Sequence, residues 1–157
     1  MFQLFKPSIC LLLLASLVLL SCQKQVLKDN TCSCSNDTSF SEVKNLLTAH
    51  PWQINEVIDP FSGTRYKRGV LTDGKDFATA RYLYKENGTL TGNTWQGSIA
   101  NTCYTLLDNR KIQVCSPPCI DIYNVISIGA TEYSYKDNSG TIFILGPVEA
   151  SETTGHK

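Results

Sequence analysis

Arg81-Tyr82-Leu83-Tyr84-Lys85-Glu86-Asn87-Gly88-Thr89-Leu90-Thr91 decides how this chain is read. Asn-Gly tolerates positive φ at both central positions of a tight turn, and between alternating residues it is the strongest short hairpin signal. A two-residue loop there sets Glu86 opposite Thr89, Tyr84 opposite Thr91 and Tyr82 opposite Asn93. Asp137-Asn138-Ser139-Gly140 reads as a four-residue loop that sets Tyr135 opposite Ile142 and Tyr133 opposite Ile144. Asp108-Asn109-Arg110 reads as a three-residue loop that places Leu106 by Ile112, Tyr104 by Val114 and Cys103 by Cys115. A one-residue slip would move every side chain to the other face, so each register is testable.

Outward from these hairpins the same period of two begins at Trp52, where Trp52, Ile54 and Ile58 alternate with Gln53, Asn55 and Asp59. Further strands are expected over roughly 64–71, 77–86, 89–97, 101–107, 111–116, 119–128, 131–136 and 141–146. Short strands separated by turn signals predict an all-β fold, an antiparallel barrel or sandwich. Before Trp52 the period is helical. Phe40, Val43, Leu46 and Leu47 share one stripe, Ser39-Phe40-Ser41-Glu42 matches a capping box, and Pro51 ends the run. One short N-terminal helix is therefore expected.

The chain has 157 residues, and one domain is expected at roughly 150 residues per domain. Charged residues are 18% and aromatics 10%, which argues against disorder. The formal charge of 0 leaves no basic excess to neutralise phosphates, so no nucleic-acid partner is expected. At the N-terminus one Lys precedes a 13-residue apolar run, Ser8 to Leu20. That run is shorter than the about 20 residues of a membrane span and fits the h-region of a signal peptide over 1–21. Leu19-Leu20-Ser21-Cys22 resembles the lipobox of bacterial lipoproteins, with Leu at −2 where smaller residues are commoner. The resemblance implies cleavage before Cys22, a diacylglyceryl thioether on its sulfur and an acyl chain, such as palmitate, on its amine. The membrane then becomes a partner through that lipid. No acidic residue follows Cys22 directly, which by analogy favours the outer membrane, facing the periplasm or the surface. Residues 22–38 are polar and suit a tether, with the folded domain expected over 39–157.

Five cysteines remain beyond Cys22: Cys32, Cys34, Cys103, Cys115 and Cys119. An exported chain meets an oxidising space, where disulfides are the default. The hairpin register favours Cys103–Cys115, with Cys119 free to meet Cys32 or Cys34; Cys115–Cys119 across Ser-Pro-Pro competes. A four-thiolate metal site fits poorly, because Cys-x-Cys is tighter than the usual zinc spacings. A redox pair fits poorly too, since Cys115 ends a strand rather than preceding a helix.

Chemistry is sparse. The two histidines, His50 and His156, stand far apart, and His-Glu-x-x-His, Gly-x-Ser-x-Gly, a P-loop and Gly-x-Gly-x-x-Gly are absent. No cofactor, metal or catalytic residue is expected, and the protein is read as non-enzymatic. Arg65, Lys67 and Arg68 form a basic cluster of the kind that is more often a solvated strand than an anion site. The aromatics are the remaining signal. Trp52, Tyr82, Tyr84, Trp95, Tyr104, Tyr133 and Tyr135 alternate so that, with Ile54, they can share a barrel interior. Core packing explains such stripes often, yet buried phenols need hydrogen-bond partners and suit a wet cavity.

Leu46-Leu47 before Pro51-Trp52-Gln53-Ile54 is similar to the helix-then-Trp opening of bacterial lipocalin-like domains. Asp76 to Thr91 looks like that family's strand, acidic-Gly turn and strand. At Asn101-Thr102-Cys103-Tyr104 the family's Gly-x-Trp is replaced, with no Gly and with Tyr104 in place of Trp. The resemblance covers about residues 44–146. It implies an 8-stranded barrel that holds a small hydrophobic or amphipathic ligand, with those aromatics and Ile54 as its wall. The alternative is an envelope lipoprotein with a filled barrel acting through its surface, on a protein partner that the sequence does not name.

Overall fold

The computed structural model describes residues 34, 40–70, 77–94, 97–116 and 119–149. Within them helix α1 (Ser41–Thr48) is followed by β1 (Trp52–Asp59), β2 (Gly63–Lys67), a 3-10 turn (Phe77–Thr79), β3 (Arg81–Tyr84) and β4 (Thr89–Thr94). The chain continues through β5 (Gly97–Asp108), β6 (Lys111–Ser116), β7 (Cys119–Ile128), β8 (Tyr133–Lys136) and β9 (Ile142–Pro147). The strands run antiparallel in the order β2-β1-β3-β4-β5-β6-β7-β8-β9, and β9 returns to pair with β1. The result is a closed 8-stranded antiparallel barrel of β1 and β3 to β9, with β2 as an arm on β1 and one short helix before it. Closure removes the sheet edges that would otherwise need protection.

Strand β1 changes partners part-way up. Trp52 and Gln53 pair with Tyr82 and Arg81, whereas Glu56 and Val57 pair with Lys67 and Tyr66. The fork is braced by Arg68, whose guanidinium donates to the Ile54 carbonyl at 2.8 Å and 3.1 Å and to Asn55 Oδ1 at 3.2 Å. Arg65 instead reaches Asp59 at 3.7 Å. Among the described residues Arg68 thus serves as a backbone brace and Arg65 as a surface partner of Asp59.

The hairpin registers were legible in one case and slipped in two. The β5–β6 ladder aligns Cys103 with Cys115, Tyr104 with Val114 and Leu106 with Ile112, as the spacing predicts, although Asp108 pairs with Lys111 across a bulge at Leu107 and the turn holds two residues rather than three. In the β3–β4 hairpin Tyr84 faces Leu90 and Tyr82 faces Gly92, one residue off the expected pairing. The Lys85 amide donates to the Thr89 carbonyl and the Gly88 amide to the Lys85 carbonyl, so the loop holds three residues, Glu86, Asn87 and Gly88. Gly88 supplies the left-handed residue with φ 80°. The β8–β9 hairpin repeats this design, with Asp137 and Thr141 paired around three residues and Gly140 at φ 87°. Tyr133 therefore faces Leu145, and Tyr135 faces Phe143. Three-residue loops ending in a left-handed Gly are a recognised alternative to the two-residue turn. In this register Leu90 and Phe143, rather than Thr91 and Ile142, stand across from buried tyrosines.

Helix α1 closes one end. Val43 and Leu47 are buried, and Phe40 packs against the core. The expected Ser39 cap lies outside the described residues; Phe40 is the N-cap, in the left-handed region at φ 64°, with no side-chain cap. Trp52 Nε1 donates to the Leu47 carbonyl at 2.9 Å, tying the helix to the first strand. The His50 ring packs against Trp52 at 4.2 Å, tilted by 56°, and its Nε2 lies 3.0 Å from the Ala130 carbonyl in the β7–β8 turn. The β3–β4, β5–β6 and β7–β8 turns share this end with the helix. The other end carries the β1–β2, β4–β5, β6–β7 and β8–β9 turns.

Candidate functional site: an aromatic cavity at the open end

A cavity of about 560 Å³ occupies the end of the barrel away from α1. The alternation of each strand decides its lining. Leu90 from β4, Val114 from β6, Tyr123 from β7, Tyr135 from β8 and Phe143 from β9 point inward beneath Tyr82 of β3. Above them Thr94, Ser98, Thr102, Ser116, Asp121 and Asp137 form a polar upper wall. Thr102 Oγ1 and Ser116 Oγ share a hydrogen bond at 2.5 Å across β5 and β6. Asp137 Oδ1 accepts from the Ser139 amide, the Ser139 hydroxyl and the Thr141 amide, which fixes that carboxylate at the β8–β9 turn.

The ring geometry separates the cavity floor from the packed end. Tyr123 stacks on Tyr135 at 4.2 Å and 15°, and Tyr135 stacks on Phe143 at 5.1 Å and 17°. Toward α1 the rings meet edge to face instead, Tyr84 against Tyr104 at 5.1 Å, Tyr84 against Tyr133 at 6.1 Å and Trp52 against Tyr133 at 5.7 Å. Edge-to-face contacts of this kind are a preferred packing of buried rings.

Of the expected wall, Tyr82 and Tyr135 line the cavity. Trp52, Ile54, Tyr84, Tyr104 and Tyr133 are buried in the same core but lie at the packed end and do not line it. Trp95 lies outside the described residues. The wet-cavity argument from tyrosine hydroxyls fails for Tyr104, whose hydroxyl donates to the Lys85 carbonyl at 2.9 Å. Sequence reasoning missed Tyr123 and the two aspartates. The signal was present in the alternation Cys119, Asp121, Tyr123 and Val125. The opposite set, Ile120 and Ile122, is the greasier face by composition and points the wrong way.

Burial pushes the phenols of Tyr82, Tyr84, Tyr123, Tyr133 and Tyr135 above the ordinary value of 10.0, and Asp121 adds to the effect on Tyr123. Tyr104 is raised to about 12 by burial and by the charge of Glu86. These groups are neutral hydrogen-bonding surfaces near pH 7, not acids or bases poised to titrate there.

The cysteines correct one expectation. Cys103 and Cys115 are cross-strand neighbours and both are disulfide-bonded, yet Cys103 is joined to Cys34 across 69 residues of chain. The register was right and the partner was not: Cys34, in a stretch read as a tether, is bonded to Cys103 on β5. With Cys34, Cys103 and Cys115 in disulfides, the four-thiolate metal site is not formed. No protein-family model and no curated protein matches this chain. Among the described residues no group of three or more His, Cys, Asp or Glu side chains could hold a metal ion, and no helix is long and apolar enough to cross a membrane. Cys22 and Cys32 lie outside the described residues.

Proposed function

We propose that this chain is a non-catalytic binding module of the bacterial lipocalin-like kind, which holds one small hydrophobic or amphipathic molecule in the open end of its barrel. The observation that supports it is the cavity of about 560 Å³ floored by Tyr82, Tyr123, Tyr135 and Phe143. Ligand sites are usually concave, of about 300–1,000 Å³, mostly apolar, with a few convergent polar groups. Eight-stranded barrels are the smallest that can hold a single small ligand. The apolar floor takes the tail of the guest, and the hydroxyls of Thr102 and Ser116 meet its polar end. A hollow upper half favours this reading over a filled barrel acting only through its surface.

The leader and the Leu19-Leu20-Ser21-Cys22 motif support an exported, outer-membrane lipoprotein anchored by acyl chains on Cys22. Two or more chains anchor stably, at about 0.8 kcal/mol per buried methylene. Native mass spectrometry of the purified protein tests the binding role, with a co-purifying adduct of a few hundred daltons, or one gained on adding amphiphiles, as the expected result. A bare mass under every added amphiphile would remove the reading. Loss of metabolic palmitate labelling in Cys22→Ser tests the anchor separately.

A further inference from the structure

Resting on the reading of the open end as a ligand cavity, we propose that it selects amphiphiles with a cationic head, an amine or quaternary ammonium, and rejects carboxylate and phosphate heads. Among the described lining residues the ionisable carboxylates set the sign of the charge. Asp121 and Asp137 both line the cavity, and among its described lining residues there is no Lys, Arg or His. Nearby arginines are engaged away from it: Arg68 on the Ile54 carbonyl, Arg81 on the carbonyls of Ala78 and Ala80, and Arg65 on Asp59.

The two carboxylates are placed by the ladders. Asp121 pairs with Val114, another lining residue, so it stands on the inner face one step above Tyr123. Asp137 follows Lys136, which pairs with Asn124, so the next step of the ladder sets Asp137 beside Tyr123. The aspartates therefore flank one tyrosine at the mouth, and three donors on Oδ1 hold Asp137 there. An incoming anion would be desolvated beside two like charges in a site of reduced dielectric, where repulsion is stronger than in water. A cation meets opposite charge at the mouth and, below it, the aromatic lining residues Tyr82 and Tyr123, a ring type whose faces attract cations. The apolar floor accepts the tail of either.

Octyltrimethylammonium, octanol and octanoate share one tail and differ in head. Calorimetric titration of the full chain carrying Cys22→Ser, which blocks acylation, should rank their affinities in that order, with at least tenfold between cation and anion. Asp121→Asn with Asp137→Asn should weaken the cation at least tenfold and leave octanol within twofold; Asn keeps the Oδ1 acceptor that the β8–β9 turn requires. Octanoate binding as tightly as the cation, or an unchanged order in the double variant, overturns the selectivity while octanol binding upholds the cavity. Binding of none of the three removes the cavity reading and the selectivity with it.

Discussion

The two ends of this barrel are built from the same residue types and do opposite things. Toward α1, Trp52, Tyr84, Tyr104 and Tyr133 meet edge to face, and Leu47 seals them from below. At the other end Tyr123, Tyr135 and Phe143 lie nearly parallel and leave one side open to about 560 Å³ of space. Tyr133 and Tyr135, two residues apart on one strand and 5.3 Å between ring centroids, join the two arrangements. Aromatic content therefore does not make a pocket; ring orientation and the presence of a plug do. The packed end supplies the stability that the hollow end forgoes.

The sharpest way to break this comparison is to remove one large side chain from each end. Trp52→Ala deletes a fully buried indole and its bond to the Leu47 carbonyl, so about 3–5 kcal/mol should be lost. Tyr123→Ala enlarges a space that already exists, and about 1–2 kcal/mol is expected, below the usual cost of a buried aromatic because the cavity already adjoins the site. Denaturant midpoints at constant slope measure both. Equal losses would mean that the open end is as tightly packed as the closed one.

Alkaline titration asks whether the two ends unfold together. The folded phenols of Tyr84, Tyr104 and Tyr133 at the packed end, and of Tyr82, Tyr123 and Tyr135 at the open end, are all raised by burial. The unfolded chain releases its protons near pH 10, before the folded chain does, so it binds fewer protons above that pH. The stability due to these neutral phenols is then fully present below about pH 10 and is lost as pH rises through the folded values, which for Tyr104 is about 12. Phenolate absorbance and loss of β-sheet circular dichroism should rise in one coincident step. An earlier phenolate step with the sheet intact would show that the open end admits hydroxide or opens on its own.

How much of this was written in the sequence follows the same division. The alternation from Trp52 onward was legible over most of the strands, but in β1 a register shift after Ile54 buries Val57 where the period of two expected Ile58. The short helix was legible from Val43 and Leu47, and the β5–β6 register from its turn residues. Asn87-Gly88 misled, because Asn-Gly also serves a three-residue loop in which only Gly needs positive φ, and the choice rests on packing Leu90 against Tyr84 across the ladder. The hollow was not legible: Tyr84 and Tyr135 obey the same parity in two similar hairpins, and the alternation does not say which of them faces the end that α1 covers. Tyr123 was hidden because β7 offers apolar residues to both faces, and Ile120 and Ile122 look the better core. The Cys34–Cys103 bond was hidden for a different reason, since no periodicity ties a segment before the helix to a strand 69 residues later.

The smallest expected effect compares lost side-chain hydrogen bonds in the two halves. In the packed half, Trp52→Phe leaves the Leu47 carbonyl without its side-chain donor in a dry place, and an unsatisfied buried acceptor costs about 1–3 kcal/mol. In the open half, Thr102→Val removes the partner of the Ser116 hydroxyl and a 3.2 Å donor to the Ala100 carbonyl, at a nearly isosteric cost in volume. That hydroxyl lines the cavity, where water can replace the lost partner at little cost. Thr102→Val should therefore shift stability by no more than about 0.5 kcal/mol, against a clear loss in Trp52→Phe. Thermal melts of the two variants side by side give the ratio. If Thr102→Val proves as costly as Trp52→Phe, water does not reach Ser116, and the upper half is as dry as the lower.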